Sequence, residues 1–268
     1  MFLYHNNNLL TQVAINIENR GFLFGDGVFE TCLVYKRQII NFSHHLQRLA
    51  FGLDYLDITY DSSNLQWQAE KLTKLNNLEC GILKIQIGRD VGSFGYLPTQ
   101  NCSTISILQT FLPRKTPDNI KLIISDRGLH GNFPFKSSNS LPYVLAKIDA
   151  QKYFAFDSIL LNKNQHICET GSANIFWVKN GQIFTPHHTC GLVLGLIREI
   201  ICQHYEVNFV TEGWQSLQQA EEVFITNSII FIKSVDIIEF ENKIIKNYQQ
   251  TKIAQNIAVF LQEKLLSL

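Results

Sequence analysis

Apolar and polar residues alternate through VFETCLVYKRQIINF, residues 28–42, on either side of a polar Lys36-Arg37 pair, which predicts a β-hairpin. Ser43 then reads as an N-cap, followed by leucines 46, 49, 53 and 56 at helical spacing. A second helix is predicted over DSSNLQWQAEKLTKLNN. Two strands follow, GILKIQIGRD and STISILQTF, joined by the glycine-bearing loop VGSFGYLP. Further along, NIKLIISD and SILLN read as strands on either side of a helix over residues 141–153. NIFWVKNGQIFTP reads as a hairpin, because Asn180-Gly181 supplies the two positive-φ positions of a type I′ turn. GLIREIICQHY is a helix, VFITNSIIFIKSVDII is rich in β-branched strand formers, and TKIAQNIAVFLQEKLLSL is an amphipathic helix.

Strands and helices interleaved in this way predict an α/β (α+β) chain. The proline-bearing, aperiodic segment LPRKTPDN marks a boundary. The expected division is a small N-terminal α/β domain over residues 1–112, a linker over 113–119 and a larger C-terminal domain over 120–268. Composition narrows the function. With 23 basic and 23 acidic residues in 268, the chain carries no footprint for a nucleic acid, and no apolar run reaches the roughly 18 residues of a membrane span. The start, MFLYHNNNLL, lacks the pattern of a secretory signal, so a cytoplasmic location is expected. Six scattered cysteines with no C-x-x-C pair read as reduced thiols, and the pairs His44-His45 and His187-His188, lacking a third ligand at helical spacing, read as surface or capping residues. No metal site is expected.

Four features could carry chemistry, and each has an ordinary structural explanation. Lys136, among aromatic and small residues in GNFPFKSSNSLPYVLAK, is a solvated charge or, if desolvated, an amine nucleophile. Glu169 in HICETGSANIF either satisfies turn amides or faces a ligand. Arg48, flanked by leucines, snorkels over the core or binds an anion, and Gly195 is a cap or opens an anion-binding helix terminus. Taken together they match one task. A phosphorylated aldehyde cofactor needs a lysine to hold it, an acid at its ring nitrogen, and an arginine with helix-end amides at its phosphate.

The motifs NRGFLFGDGVFE, HHLQRL, FKSSNSLPYVLA, CETGSANIFWVKNGQIFTP and LGLIRE, in this order, resemble the fold-type IV (class IV aminotransferase) enzymes that use pyridoxal 5′-phosphate, over essentially the whole chain. The resemblance implies a two-domain enzyme with a small-molecule substrate, working as a homodimer. It further implies that Lys136 is the Schiff-base lysine, Glu169 the partner of the pyridine nitrogen, and Arg48 a phosphate ligand alongside the Leu196 and Ile197 amides and the Ser228 hydroxyl. Branched-chain members have a tyrosine five residues after the lysine, where Leu141 stands in this chain. LKIQIGRDVGSFGY is similar to the pattern of the aminodeoxychorismate lyases within the family, through Arg89, Gly92, Gly95 and Tyr96, while Phe94 stands where some of them have arginine. That likeness implies elimination of pyruvate from 4-amino-4-deoxychorismate to give 4-aminobenzoate, a folate precursor. Arg89, Tyr96, Phe29 and Thr31 would then be on the substrate side. The D-amino-acid aminotransferases share GDGV and the leucine and are the alternative, with a branched-chain-type enzyme or a silent cofactor-binding relative behind them.

One stretch, NRGFLFGDGVFET, packs three glycines and three phenylalanines around Asp26. It lacks the third glycine of a dinucleotide fingerprint, Glu30 standing there. The expectation is a tight turn about Asp26 that presents Phe24, Phe29 and Thr31 to the substrate.

Overall fold

The computed structural model describes residues 1–92, 95–100, 102–113, 115–129, 133–249 and 251–266. The chain divides into two compact units, one formed by Met1–Arg114 with Phe135–Ser140, the other by Lys115–Pro134 with Leu141–Leu268. The segment that carries Lys136 therefore belongs to the first unit.

The first unit runs β1 (Leu3–His5), β2 (Asn8–Leu10), α1 (Arg20–Phe24), β3 (Gly27–Tyr35), β4 (Gln38–Ile39), α2 (Phe42–Tyr55), α3 (Leu65–Leu75), β5 (Gly81–Arg89) and β6 (Thr104–Phe111). Its strands form one antiparallel sheet in the order β2-β1-β6-β5-β3-β4. The predicted hairpin turns at Lys36 and Arg37, both at positive φ. Alternation in β5 buries Leu83, Ile85 and Ile87 and leaves Ile82, Lys84 and Gln86 half-buried on the other face. Each fully buried aliphatic side chain of this kind contributes about 1.5–3 kcal/mol. Val28, Glu30, Cys32 and Val34 of β3 share the buried face, against which α2 packs through His45 and Arg48.

Two local expectations change. The helix after the hairpin starts at Phe42, and its N-cap is Asn41 in the left-handed conformation, whereas Ser43 lies inside the first turn. Asparagine tolerates that conformation, so it ends the hairpin and starts the helix in one residue. The stretch around Asp26 contains a short helix, α1, capped by the Asn19 side chain at Phe22 N and ended by Gly25 at φ 67°. The tightest approach is at Gly27, which sits opposite Gly88. A Cβ there would lie 2.7 Å from the Ile87 carbonyl oxygen and 2.8 Å from Gly88 Cα.

The second unit contains β7 (Lys121–Leu129), α4 (Leu141–Lys152), β8 (Asp157–Asn162), β9 (Ile167–Thr170), β10 (Asn174–Lys179), β11 (Gln182–Pro186), a 3-10 turn at His188–Cys190, α5 (Leu196–His204), β12 (Val207–Val210), α6 (Gln215–Gln218), β13 (Glu222–Asn227), β14 (Phe231–Ser234), β15 (Ile237–Phe240), β16 (Lys243–Asn247) and α7 (Lys252–Leu266). Two five-stranded sheets result, β12-β11-β10-β13-β14 and β16-β15-β7-β8-β9. Side chains from both share one core, with Leu122 and Ile159 from the second sheet meeting Ile175, Trp177 and Ile225 from the first. The Asn180-Gly181 turn forms as predicted, with φ 51° and 71°. Among the described residues no helix is long and apolar enough to cross a membrane, and no group of three acids, histidines or cysteines is placed to hold a metal.

The atoms around Gly27 are backbone and cannot swing aside. Gly27→Ala is expected to destabilise the protein by about 1–3 kcal/mol through forced separation of β3 from β5, read as a lowered urea midpoint with unchanged m-value.

Candidate active site

The residues singled out above fall in both units, and each set is described by itself. In the first, β3 carries two kinds of chemistry on its two faces. On the buried face, Glu30 is 1% exposed and accepts from Arg48 Nε at 2.7 Å and Nη2 at 2.8 Å, a fork that fixes the plane of the guanidinium. His45 Nδ1 lies 2.6 Å from the other side of that carboxylate, at Oε2. Burial pushes the Glu30 carboxyl up, but the Arg48 charge and hydrogen bonds, with those of His45, outweigh it and lower its pKa to about 2. His45 is thus a buried partner and not a surface residue. The signal for this cluster was present in the sequence as an acid at a buried position of an alternating strand, 18 residues before the arginine it holds.

On the opposite face of β3 stand Phe29 and Thr31. The backbone of Lys136 pairs along the free edge of this strand, with Phe29 N donating to Lys136 O at 2.9 Å and a bridge between Val28 and Ser137. The Lys136 ammonium lies 4.8 Å from the centre of the Phe29 ring. Arg89 closes the end of β5. Its Nη1 donates to Asp26 Oδ1 at 2.7 Å, and its Nη2 donates to the carbonyls of Leu56 and Asp57. Arg20, buried, takes the other Asp26 oxygen at 2.9 Å and donates to the carbonyls of Gly95 and Tyr96. The Tyr96 ring is exposed and packs 5.6 Å from Phe24. Phe94 lies outside the described residues.

In the second unit, Glu169 sits on β9 and is buried. Tyr143 Oη donates to its Oε1 at 2.8 Å, Val193 N to the same oxygen at 3.1 Å, and Asn174 Nδ2 to Oε2 at 3.2 Å. Three donors fix the orientation of this carboxylate. The T-G-S turn that follows is clamped on fully buried Asp157, which accepts from the hydroxyls of Thr170 at 3.0 Å and Ser172 at 2.6 Å. Asn174 also donates to Val193 O at 2.9 Å, tying Glu169 to the loop before α5.

Helix α5 opens at Gly195 in an extended conformation, with no side chain capping its first turn, where the amides of Leu196 and Ile197 lie. A Cβ at Gly195 would collide with Asn174 Oδ1. The register places Asn174 beside Thr226, whose Oγ1 is buried with no partner among the described residues. Ser228 lies in the turn after β13, half-buried. These residues fit pyridoxal phosphate. The second unit offers an acid held by three donors, which suits a ring nitrogen, and uncapped helix amides with an unsatisfied Thr226 hydroxyl nearby, which suit a phosphate; the first unit offers a lysine beside an aromatic ring. Sequence reasoning missed Glu30, His45, Tyr143, Asn174 and the buttress Asp157.

Residues 27–238 match the model of the amino-transferase class IV family. The chain belongs to that family. It is 29% identical over 257 residues to an aminodeoxychorismate lyase of Vibrio harveyi, covering 88% of this chain and 92% of the relative. It is 26% identical over 273 residues to a D-alanine aminotransferase of Bacillus licheniformis, covering 96% and 94%. The fold is similar to that of the branched-chain amino acid aminotransferase from Escherichia coli, at a TM-score of 0.86, 20% identity and coverage of 97% and 93%. Another branched-chain aminotransferase of this fold was solved with pyridoxamine 5′-phosphate, and the family's cofactor is pyridoxal phosphate.

Two outcomes follow from this geometry. Because the folded pKa of Glu30 is depressed, its stabilisation is fully present above about pH 4.5 and is lost as the pH falls through about 2. Urea midpoints measured across that window should fall more steeply for the wild type than for Glu30→Gln. In the second unit, Gly195→Ala should displace Asn174 from both Glu169 and the Val193 carbonyl, at a cost of about 1–3 kcal/mol in denaturant unfolding.

Proposed function

We propose that this chain is a pyridoxal-phosphate-dependent aminodeoxychorismate lyase, converting 4-amino-4-deoxychorismate to 4-aminobenzoate and pyruvate, and that it works as a homodimer. The observation that carries the cofactor assignment is the buried Glu169 carboxylate with its three donors, Tyr143, Val193 and Asn174. The lyase is favoured by the 29%-identical relative. It is favoured also by the lyase-like pattern ending in Gly95 and Tyr96, whose arginine and loop carbonyls are gathered on Asp26 and Arg20.

Bound pyridoxal phosphate supplies an electron sink conjugated to the substrate amine. The residues do the rest. Glu169 would accept from a protonated ring nitrogen. Arg48, its plane set by Glu30, would hold the phosphate, as would the Leu196 and Ile197 amides and the Ser228 hydroxyl. Lys136 would hold the cofactor's aldehyde carbon and, as a free amine, would take the proton from C4 while the enolpyruvyl C–O bond at C3 breaks, the leaving enolate being protonated to pyruvate. Phe29 and Thr31 face the substrate beside Lys136, with Arg89 and Tyr96 shaping the adjoining loop. An aminotransferase shares the proton removal but needs a second substrate to accept the amino group.

Purified protein given aminodeoxychorismate alone should release pyruvate, and D-alanine with 2-oxoglutarate should give no turnover. Turnover of the second pair without the first would replace the lyase by the aminotransferase. Lys136→Ala should lower the rate by more than about 100-fold and remove the visible absorbance of the lysine-bound cofactor. Survival of a borohydride-sensitive absorbance in that variant would refute the role of Lys136.

A further inference from the structure

On the sheet face that carries Phe29 and Thr31, the cross-strand register gathers polar side chains of which the reaction above uses only Thr31. Thr31 stands opposite Lys84, Phe29 opposite Gln86, and Lys84 opposite Gln109 of β6, and residues so paired share a face. Thr31, Lys84, Gln86 and Gln109 are all half-buried. None of the four side chains makes a hydrogen bond or ion pair among the described residues. Their donors and acceptors are thereby left to water or to a ligand. Lys84 is the telling member. Its ammonium lies 5.2 Å from the centre of the Phe29 ring, with no acid in ion-pair range among the described residues, and burial lowers its pKa. The same ring holds the Lys136 ammonium at 4.8 Å, so the two ammonium groups are at most about 10 Å apart.

A cation held on an aromatic surface and kept from acids is arranged to receive an anion. A six-membered ring with its amine at one end and a carboxylate at the other falls within that limit. We propose that Lys84 is a specificity-determining residue that binds the ring carboxylate of the substrate, with Gln86 and Gln109 offering amide hydrogen bonds beside it. The inference rests on the proposed role of Lys136 as the residue that meets the substrate amine. Glu30 does not compete for Lys84, because it projects from the other face of β3 into the fork of Arg48.

The test pairs a carboxylate with its neutral isostere. Protein incubated with pyridoxal phosphate is titrated calorimetrically with 4-aminobenzoate and with 4-aminobenzamide, for wild type, Lys84→Met and Lys84→Arg, with Lys84→Gln as a second neutral variant should the melting curve of Lys84→Met shift. The wild type should prefer the carboxylate. Loss of one charge-assisted bond should weaken 4-aminobenzoate by about 10- to 100-fold in the neutral variants, leave 4-aminobenzamide unchanged, and be restored in Lys84→Arg. A wild type without that preference, or neutral variants that retain it, overturns the assignment. The visible absorbance of the same wild-type samples is a separate readout. Its absence would remove the proposed cofactor chemistry, while the ratio of the two affinities would still decide the role of Lys84.

Discussion

The first unit depends on the two-residue period of β3. Successive side chains point to opposite faces, so Val28, Glu30, Cys32 and Val34 go to the helix side, while Phe29 and Thr31 go to the side that meets Lys136 and Lys84. A slip of one residue would put the Glu30 carboxylate on the open face and Phe29 against α2, exchanging every function of the strand. The register is fixed at both ends. The Lys36-Arg37 turn sets one, and the contact of Gly27 with Gly88, too close for any other residue, sets the other. Asp26 then locks the second end, one oxygen on Arg20 and the other on Arg89.

The same solution to buried or partly buried charge recurs through both units. Asp26 has two guanidinium groups, Glu30 a guanidinium and an imidazole, Glu169 a phenol, an amide side chain and a backbone N–H, and Asp157 two hydroxyls. Desolvating a carboxylate costs several kcal/mol, and only a full set of donors offsets it. These acids therefore do little for net stability but a great deal for position, since any motion that drops a donor exposes that cost. Glu169 gains most from this. The loop before α5 reaches it through Val193, and the strand after it through Asn174, so the acid and the helix terminus are set by one network.

Much of this was legible in the sequence, and the exceptions share a cause. Asn180-Gly181 announced its hairpin because a type I′ turn demands positive φ at two adjacent positions, and the strands of the core announced themselves by alternation. The β1-β2 hairpin turns at Asn6 and Asn7, also at positive φ, but strands of three residues have too little pattern to read. Helix α1 has five residues and no apolar stripe, and forms because Asn19 caps one end and Gly25 the other. Lys136, Glu169, Arg48 and Gly195 drew attention through local company. Their supports did not. Glu30, Asp157 and Tyr143 owe their roles to partners from 13 to 26 residues away, and no local window joins such residues. Lys84 was hidden differently, because I-L-K-I-Q-I reads as a strand with one solvated face, and alternation alone does not separate solvent from a ligand on that face.

That last ambiguity bears on how a family of this kind diverges. An acid at a ring nitrogen, a phosphate cup and a lysine are needed equally by a transferase and a lyase, since both must remove a proton from the carbon bearing the amine. Selection on those residues cannot choose between the outcomes. The choice falls to whatever fixes the remainder of the substrate, because a lyase must hold a good leaving group next to the carbon that loses its proton, and a transferase must release one oxo acid and admit another. On the reading proposed above, such residues would stand on the face of β3, β5 and β6 that carries Phe29, Thr31 and Lys84, where each side chain belongs to a strand whose other face is locked into the core. A strand position of that type can change its side chain without disturbing the register, the buried acids or the core packing. On that reading substrate choice falls where substitution costs the fold least, while Glu169 and Arg48 are tied to networks in which substitution costs most.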